Sequence, residues 1–181
     1  MSKENIELTR TDLSGLSVRS IVSSDLEDLR YWKNRNKEFF FLRSEITQEQ
    51  QEAWYEKFLQ RADDHMFIAG EYINDLFTTA GCMGFRLLSD ENTIDAYNIM
   101  RFNRTENGRY SMEDLFKTML KYASDSYPGF SISVKVLKNN PAISWYTDKI
   151  GFRLVNEKDT WNYYELDQSA LAGILISAYK R

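Results

Sequence analysis

The segment NNPAISWYTDKIGFRLV, residues 139–155, decides how the rest of the chain is read. Asn140 followed by Pro141 is a good N-cap and first-helical-residue pair. Gly151 is a natural helix stop, and FRLV after it has strand character. Ile143, Tyr146 and Ile150 fall on one face of the intervening helix, toward a core. Taken singly, Tyr146 reads as a core tyrosine with its hydroxyl satisfied nearby, Asn139 as a turn residue and Asn140 as a cap. Taken together, an amide before a helix and a phenol on its inward face also suit a binding site.

Working outward, SISVKV (131–136) alternates as a strand before this helix, and WNYYELD (161–167) follows as another strand. The segment SMEDLFKTMLKYA opens with Ser111 and Asp114 at capping-box spacing. It continues with Leu115, Phe116, Met119, Leu120 and Ala123 on one apolar face, which predicts a helix. Upstream, HMFIAGEY (65–72), AGCMGFRLL (80–88) and TIDAYNIMRF (93–102) predict three consecutive strands, with Asp90-Glu91-Asn92 as the turn between the last two. Thr47 with Gln50 and Ser24 with Glu27 are two further capping boxes, each opening a helix. FFFLR (39–43) lies between those helices as a loop or short apolar turn, and LSVRSIV (16–22) is the first predicted strand. The apolar tail SALAGILISAYKR predicts a terminal helix, with Leu171–Tyr179 either docked on the domain or serving as a dimer contact. The order β-α-α-β-β-β-α-β-α-β-β plus a terminal helix is a mixed α/β (α+β) arrangement. It predicts a mostly antiparallel central sheet with helices on both faces, and not a doubly wound parallel sheet.

Composition narrows the function classes. The chain has 181 residues, 43% hydrophobic and 14% aromatic, enough for a full core, and residues 1–181 read as one domain without a linker. A formal net charge of −4 argues against duplex nucleic-acid binding. One Cys and one His supply too few soft ligands for a conventional zinc site, so no metal is expected, and the single Cys82 cannot form an intrachain disulfide. No apolar run approaches the roughly 20 residues that cross a bilayer, and the N-terminus lacks a signal-peptide core. A cytoplasmic location without membrane contact is expected.

The chemistry concentrates in two places. Between TIDAYNIMRF and the helix at 112 lie Arg104, Asn107, Gly108 and Arg109, next to a helix start. Backbone N–H groups there can hold an anion, although the stretch also reads as an ordinary polar turn. Downstream, Asn139, Ala142, Ile143, Tyr146, Gly151 and Phe152 meet the pattern N-x-x-A-I-x-x-Y-x-x-x-G-F with one extra residue before the glycine. This pair of segments, in this element order, resembles the GNAT superfamily of acetyl-CoA-dependent N-acetyltransferases over nearly the whole chain.

The resemblance implies acetyl-CoA as donor, with direct attack of a primary amine on the acetyl carbonyl. It implies that Arg104, Asn107, Gly108, Arg109, Tyr110, Ser111 and Met112 receive the CoA pyrophosphate. Gly108 is followed by Arg109 and Tyr110 where the family usually has further small residues. Ile99, Met100, Arg101 and Phe102 would pair with the pantetheine arm, at a splay between this strand and SISVKV. Asn139 would bond the pantetheine, with Asn140 as the alternative, and Tyr146 would protonate the departing thiolate. Asp95, the one carboxylate of its strand, is the candidate base. His65 reads as structural and Cys82 as a small core residue.

The segment LRYWKNRNKEFFFLRSEITQEQQEAWYEKF is similar to GNAT proteins that acetylate amino groups on nucleotide-linked sugars, through Trp32, Asn34, Phe41, Ile46, Gln51 and Trp54. The resemblance implies an acceptor site using Trp32, Phe41 and Trp54 for stacking and Arg35 or Arg43 for a diphosphate. Trp32 and Trp54 also read as core anchors of their helices. Two other readings stand beside this one: acetylation of a protein N-terminus, and a catalytically silent CoA- or nucleotide-binding module.

Overall fold

The structure, a computed structural model, describes residues 3–102 and 109–180. Among the described residues nine strands form one sheet: β1 Ile6–Arg10, β2 Leu13–Ser20, β3 Asp64–Ile73, β4 Leu76–Leu88, β5 Thr93–Arg101, β6 Ser131–Leu137, β7 Phe152–Glu157, β8 Trp161–Leu166 and β9 Ile176–Lys180. Their spatial order is β7-β8-β6-β5-β4-β3-β2-β1-β9. Among the described residues only β5 and β6 pair in parallel; every other neighbouring pair is antiparallel. The helices are α1 Leu26–Arg35, α2 Gln48–Leu59, α3 Met112–Ser126 and a π-helix Trp145–Ile150. The mixed, mostly antiparallel sheet expected from the sequence is the one observed.

Helices cover both faces because alternate strand residues feed two cores. On β4, Met83 joins the larger core under α3 and the π-helix, and Cys82 joins the smaller one under α1 and α2. Ser111 and Asp114 form their capping box at the start of α3, and Thr47 with Gln50 does so at α2. The expected Ser24–Glu27 box does not form. Asp25 accepts from the Val22 backbone N–H at 2.8 Å and grips Arg19 through two 2.8 Å bonds, so a short 3-10 turn precedes α1 instead.

Two other expectations need correction. The tail is not a helix. After Gly173, at φ +78°, the chain turns and Ile176–Lys180 becomes an edge strand paired to β1. β1 itself, with its hairpin into β2, precedes the first strand expected from the sequence and offers the edge that captures the tail.

The predicted helix after Pro141 is wider than an α-helix. The Gly151 N–H donates to the Tyr146 carbonyl five residues back, at 3.2 Å. The extra residue of the motif is thus taken up as one π-turn, and Gly151 closes it at φ +99°.

His65, on β3, stacks on Phe85 at 4.5 Å, and the Tyr127 hydroxyl lies 3.2 Å from its Nε2. Burial pushes its pKa down to about 4, with nearby Lys3 acting in the same direction. The folded state therefore holds neutral imidazole where the unfolded chain takes a proton near 6.5. Stability is intact above 6.5 and is expected to fall as the pH drops through 6.5 toward about 4, by about 3 kcal/mol at most. Urea midpoints across that range check this, and His65→Phe is expected to flatten the limb.

Candidate functional site

β5 and β6 stay paired only from Thr93–Ser131 to Ala96–Val134. Beyond that point β5 continues on β4 to Arg101, while β6 continues on β8 to Leu137. The two strands splay, and the β5 backbone from Tyr97 onward has no β6 partner on that side. The splay is reinforced on the β4 side by a bulge, where the register jumps from Cys82–Met100 to Gly84–Tyr97. Asn98 takes φ +51° there, a conformation an Asn tolerates. At Gly81 a Cβ would meet the Met100 carbonyl at 2.2 Å, so only glycine lets β4 press this close to the bulged end of β5.

The splay opens a cleft of about 680 Å³. Tyr146 enters it from the π-helix, 5% exposed. Phe116 and Phe152 hold its ring edge-on at 6.4 and 6.0 Å. Burial alone pushes its phenol well up, so it stays protonated. Among the described residues no group hydrogen-bonds that hydroxyl within the protein. A second pocket of about 330 Å³ opens from the same walls between α1, α2 and the end of β5. Lys33, Leu42, Asn98 and Met100 line both.

The expected residues divide. Ile99, Met100, Arg101, Tyr146, Asp95 and Phe41 line the cleft, and Trp54 lines the second pocket. Asn140, not Asn139, is in the cleft wall; its Oδ1 caps the Ala142 N–H at 2.9 Å, while Asn139 is exposed outside it. Phe102 turns into the smaller core and stacks on Trp32 at 5.6 Å, so neither ring faces the cleft. Arg35 bonds the Tyr31 hydroxyl at 3.1 Å and, like exposed Arg43, is outside the walls.

Asn34 and Ile46 exchange two hydrogen bonds, of 2.9 and 2.8 Å, which clamp the loop after α1. Those two motif positions thus have a structural role. Arg104, Asn107 and Gly108 lie outside the described residues. The Arg109 N–H donates to Glu71 Oε1 at 2.9 Å, Tyr110 bonds the Ser14 carbonyl, Ser111 caps α3 and Met112 packs near Gly81. None of these four is in the cleft wall. Asp95 Oδ2 takes two bonds from Arg86, at 2.9 and 2.8 Å.

Sequence reading missed Lys33, Arg86, Asn98, Lys135 and Trp161, all of them in the cleft wall. The described walls of the cleft thus hold four cations (Lys33, Arg86, Arg101 and Lys135) and one carboxylate, Asp95, in a chain whose net charge is −4. The described walls of the second pocket contain no carboxylate; they offer Ser44, Gln50, Gln51, Trp54 and Asn98.

No protein-family model matches the sequence. No curated protein matches it by sequence either. Solved structures do match in three dimensions. FdhC, described as a nucleotide-linked sugar GNAT, superposes with a TM-score of 0.67 at 16% identity, covering 94% of this chain and 92% of its own. Spermidine N-acetyltransferase from Vibrio cholerae, in complex with CoA and spermine, gives 0.61 at 14%, covering 83% and 93%. The Campylobacter jejuni N-acetyltransferase PseH gives 0.59 at 16%, covering 90% and 98%. The chain has the GNAT fold. Within that fold the splayed pair is β5 and β6, the pair that the sequence resemblance pointed to. The cleft's cations, unpaired strand edge and buried phenol are compatible with a long anionic thioester lying between the strands.

Proposed function

We propose that the chain, as one domain, is an N-acetyltransferase moving the acetyl group of acetyl-CoA to a primary amine on a nucleotide-linked amino sugar. The observation that carries this reading is the charge of the site: cations in the main cleft, and a second pocket whose described walls hold Lys33 and hydrogen-bonding groups but no carboxylate. A diphosphate is drawn to the cations, and sugar hydroxyls suit amides, a serine and an indole face. A polyamine such as spermine carries several positive charges and calls for carboxylates, but the one in the described walls is already bonded to Arg86. FdhC, the nucleotide-linked sugar GNAT, points the same way.

In this reading acetyl-CoA supplies an activated acyl group on a thiol leaving group. The free edge of β5 at Tyr97–Arg101 pairs with the pantetheine amides, and a β5 N–H stabilises the oxyanion. Asn140 donates its amide N–H to the arm. Tyr146 gives its proton to the departing sulfur. The test is release of CoA thiol with a panel of acceptors: a nucleotide-linked amino sugar, the free amino sugar, spermidine and a peptide N-terminus. The nucleotide-linked sugar is expected to have the highest kcat/KM; a preference for spermidine or the peptide would overturn the acceptor.

Asn140→Ala is expected to weaken acetyl-CoA binding by about threefold to tenfold in calorimetry, from one lost hydrogen bond. Asn139→Ala is expected to leave it unchanged. The reverse pattern would return the role to Asn139.

A further inference from the structure

The attacking amine arrives as an ammonium and must lose a proton before its nitrogen can bond to the acetyl carbon. We propose that Lys33 is the group that accepts this proton, an assignment that rests on the acetyl-transfer reading above.

The geometry places Lys33 where the acceptor must pass. It reaches from α1 to the join of the cleft and the second pocket and lines both. Its ammonium nitrogen is held by the Asn98 side-chain oxygen, at the bulge two residues past the last β5–β6 pair. Phe40 covers it, with the ring centroid 4.5 Å away. An amine fixed there lies beside the backbone that faces the thioester, on the side from which the second pocket delivers its occupant.

The other titratable groups in the walls are less fit. Asp95 Oδ2 is tied to Arg86. Tyr97 donates its hydroxyl to Asp64, and burial holds that phenol well above its ordinary value. Tyr146 is also held protonated by burial, which suits it to the acid role. Arg86 and Arg101 are permanently charged. Lys135 sits on β6 with its ammonium over Trp161 at 6.0 Å, on the far strand of the splay. From β4, buried Cys82 faces Lys33 as a neutral thiol, since burial pushes it up.

Lys33 itself is lowered by burial to about 8, so a useful fraction is neutral near pH 7.5 while the conjugate acid still forms readily. The Phe40 face favours the charged form and works in the opposite direction, completing the proton acceptance.

Neutral Lys33 takes one proton from the ammonium and later gives it to water. The freed nitrogen bonds to the carbonyl carbon, and the carbon–sulfur bond breaks. The thiolate takes the Tyr146 proton, and the second proton shed by the nitrogen restores the phenol.

The experiment compares the parent with Lys33→Met and Lys33→Arg, using acetyl-CoA and the best amine of the acceptor panel. It reads kcat/KM against pH, acetyl-CoA binding by calorimetry and thermal unfolding. The parent is expected to gain activity through pH about 8. Lys33→Arg, which keeps the charge, is expected to bind acetyl-CoA normally, and both variants are expected to lose roughly 10²–10⁴-fold in kcat/KM and to lose that limb. Arginine retains the positive charge and most of the length but does not deprotonate, so it separates proton transfer from charge and packing.

Activity retained in Lys33→Arg would overturn the proton role and leave Lys33 as an anion-binding cation. A limb that persists in Lys33→Met would also overturn it. A parent that transfers acetyl to none of the amines would overturn the acetyltransferase reading itself, a different result from a parent that transfers while Lys33 proves dispensable.

Discussion

Tyr146→Phe is expected to slow acetyl transfer by roughly 10²–10⁴-fold while acetyl-CoA binding and unfolding midpoints barely move. The separation follows from how the side chain is held. Its ring packs edge-on against Phe116 and Phe152, contacts that a phenylalanine keeps. Its hydroxyl has no hydrogen-bond partner in the protein among the described residues, so its removal leaves no buried group unsatisfied. The loss falls only on what the oxygen does in the cleft. A phenol held high by burial is a weak acid toward a thiolate in water. In the splay the thiolate is desolvated by the same walls, its affinity for a proton rises as well, and the transfer becomes better matched. Initial rates of thiol release, beside calorimetric binding of acetyl-CoA, check the prediction. Equal losses in binding and turnover would mean that Tyr146 positions the donor and does not act as an acid.

Much of the scaffold was legible because local rules and tertiary packing agree there. The Ser111–Asp114 and Thr47–Gln50 spacings form their boxes, and the five apolar positions of α3 are buried as their period demands. The signal failed where two local partners competed. Ser24 and Glu27 have the right spacing, but Asp25 reaches both the Val22 N–H and Arg19, and the helix starts later. It failed again at the tail, whose apolar composition fits helix or strand. Only the open edge of β1, at the other end of the chain, selects the strand.

The same limit applies to the site. The N-x-x-A-I-x-x-Y pattern placed Tyr146 in the cleft, and its extra residue reappears as the π-turn. Which of Asn139 and Asn140 lines the cleft depended on which way a turn rotates, which spacing does not encode. Lys33 and Asn98 are 65 positions apart, and no periodicity links them. An Asn interrupting the strand TIDAYNIMRF was the available hint of the bulge. Phe102 shows where strand adjacency stops short: its ring packs on Trp32, while the pairing expected of it with Ile99, Met100 and Arg101 belongs to the backbone.

The largest effect on stability is expected at Phe116, where core and site share one joint. The side chain is fully buried on α3. It stacks on Trp145 at 5.5 Å and Phe152 at 6.4 Å, and meets Tyr146 edge-on. These rings join α3 to the π-helix and to β7, and a π-turn has poorer internal geometry than an α-turn, so it depends on what packs against it. Phe116→Ala removes the hub and leaves a cavity that three aromatic neighbours cannot fill without moving. The expected cost is about 3–5 kcal/mol, a large share of the roughly 5–15 kcal/mol that holds a folded domain together. In urea the midpoint should fall with little change in slope. Because Tyr146 loses one of its edge contacts, kcat should fall in the folded variant by more than acetyl-CoA affinity does. Phe116→Leu keeps most of the volume and should recover much of both. A cost below about 1 kcal/mol for the alanine variant would place it among ordinary surface substitutions and show that the π-helix is held in place by its own hydrogen bonds.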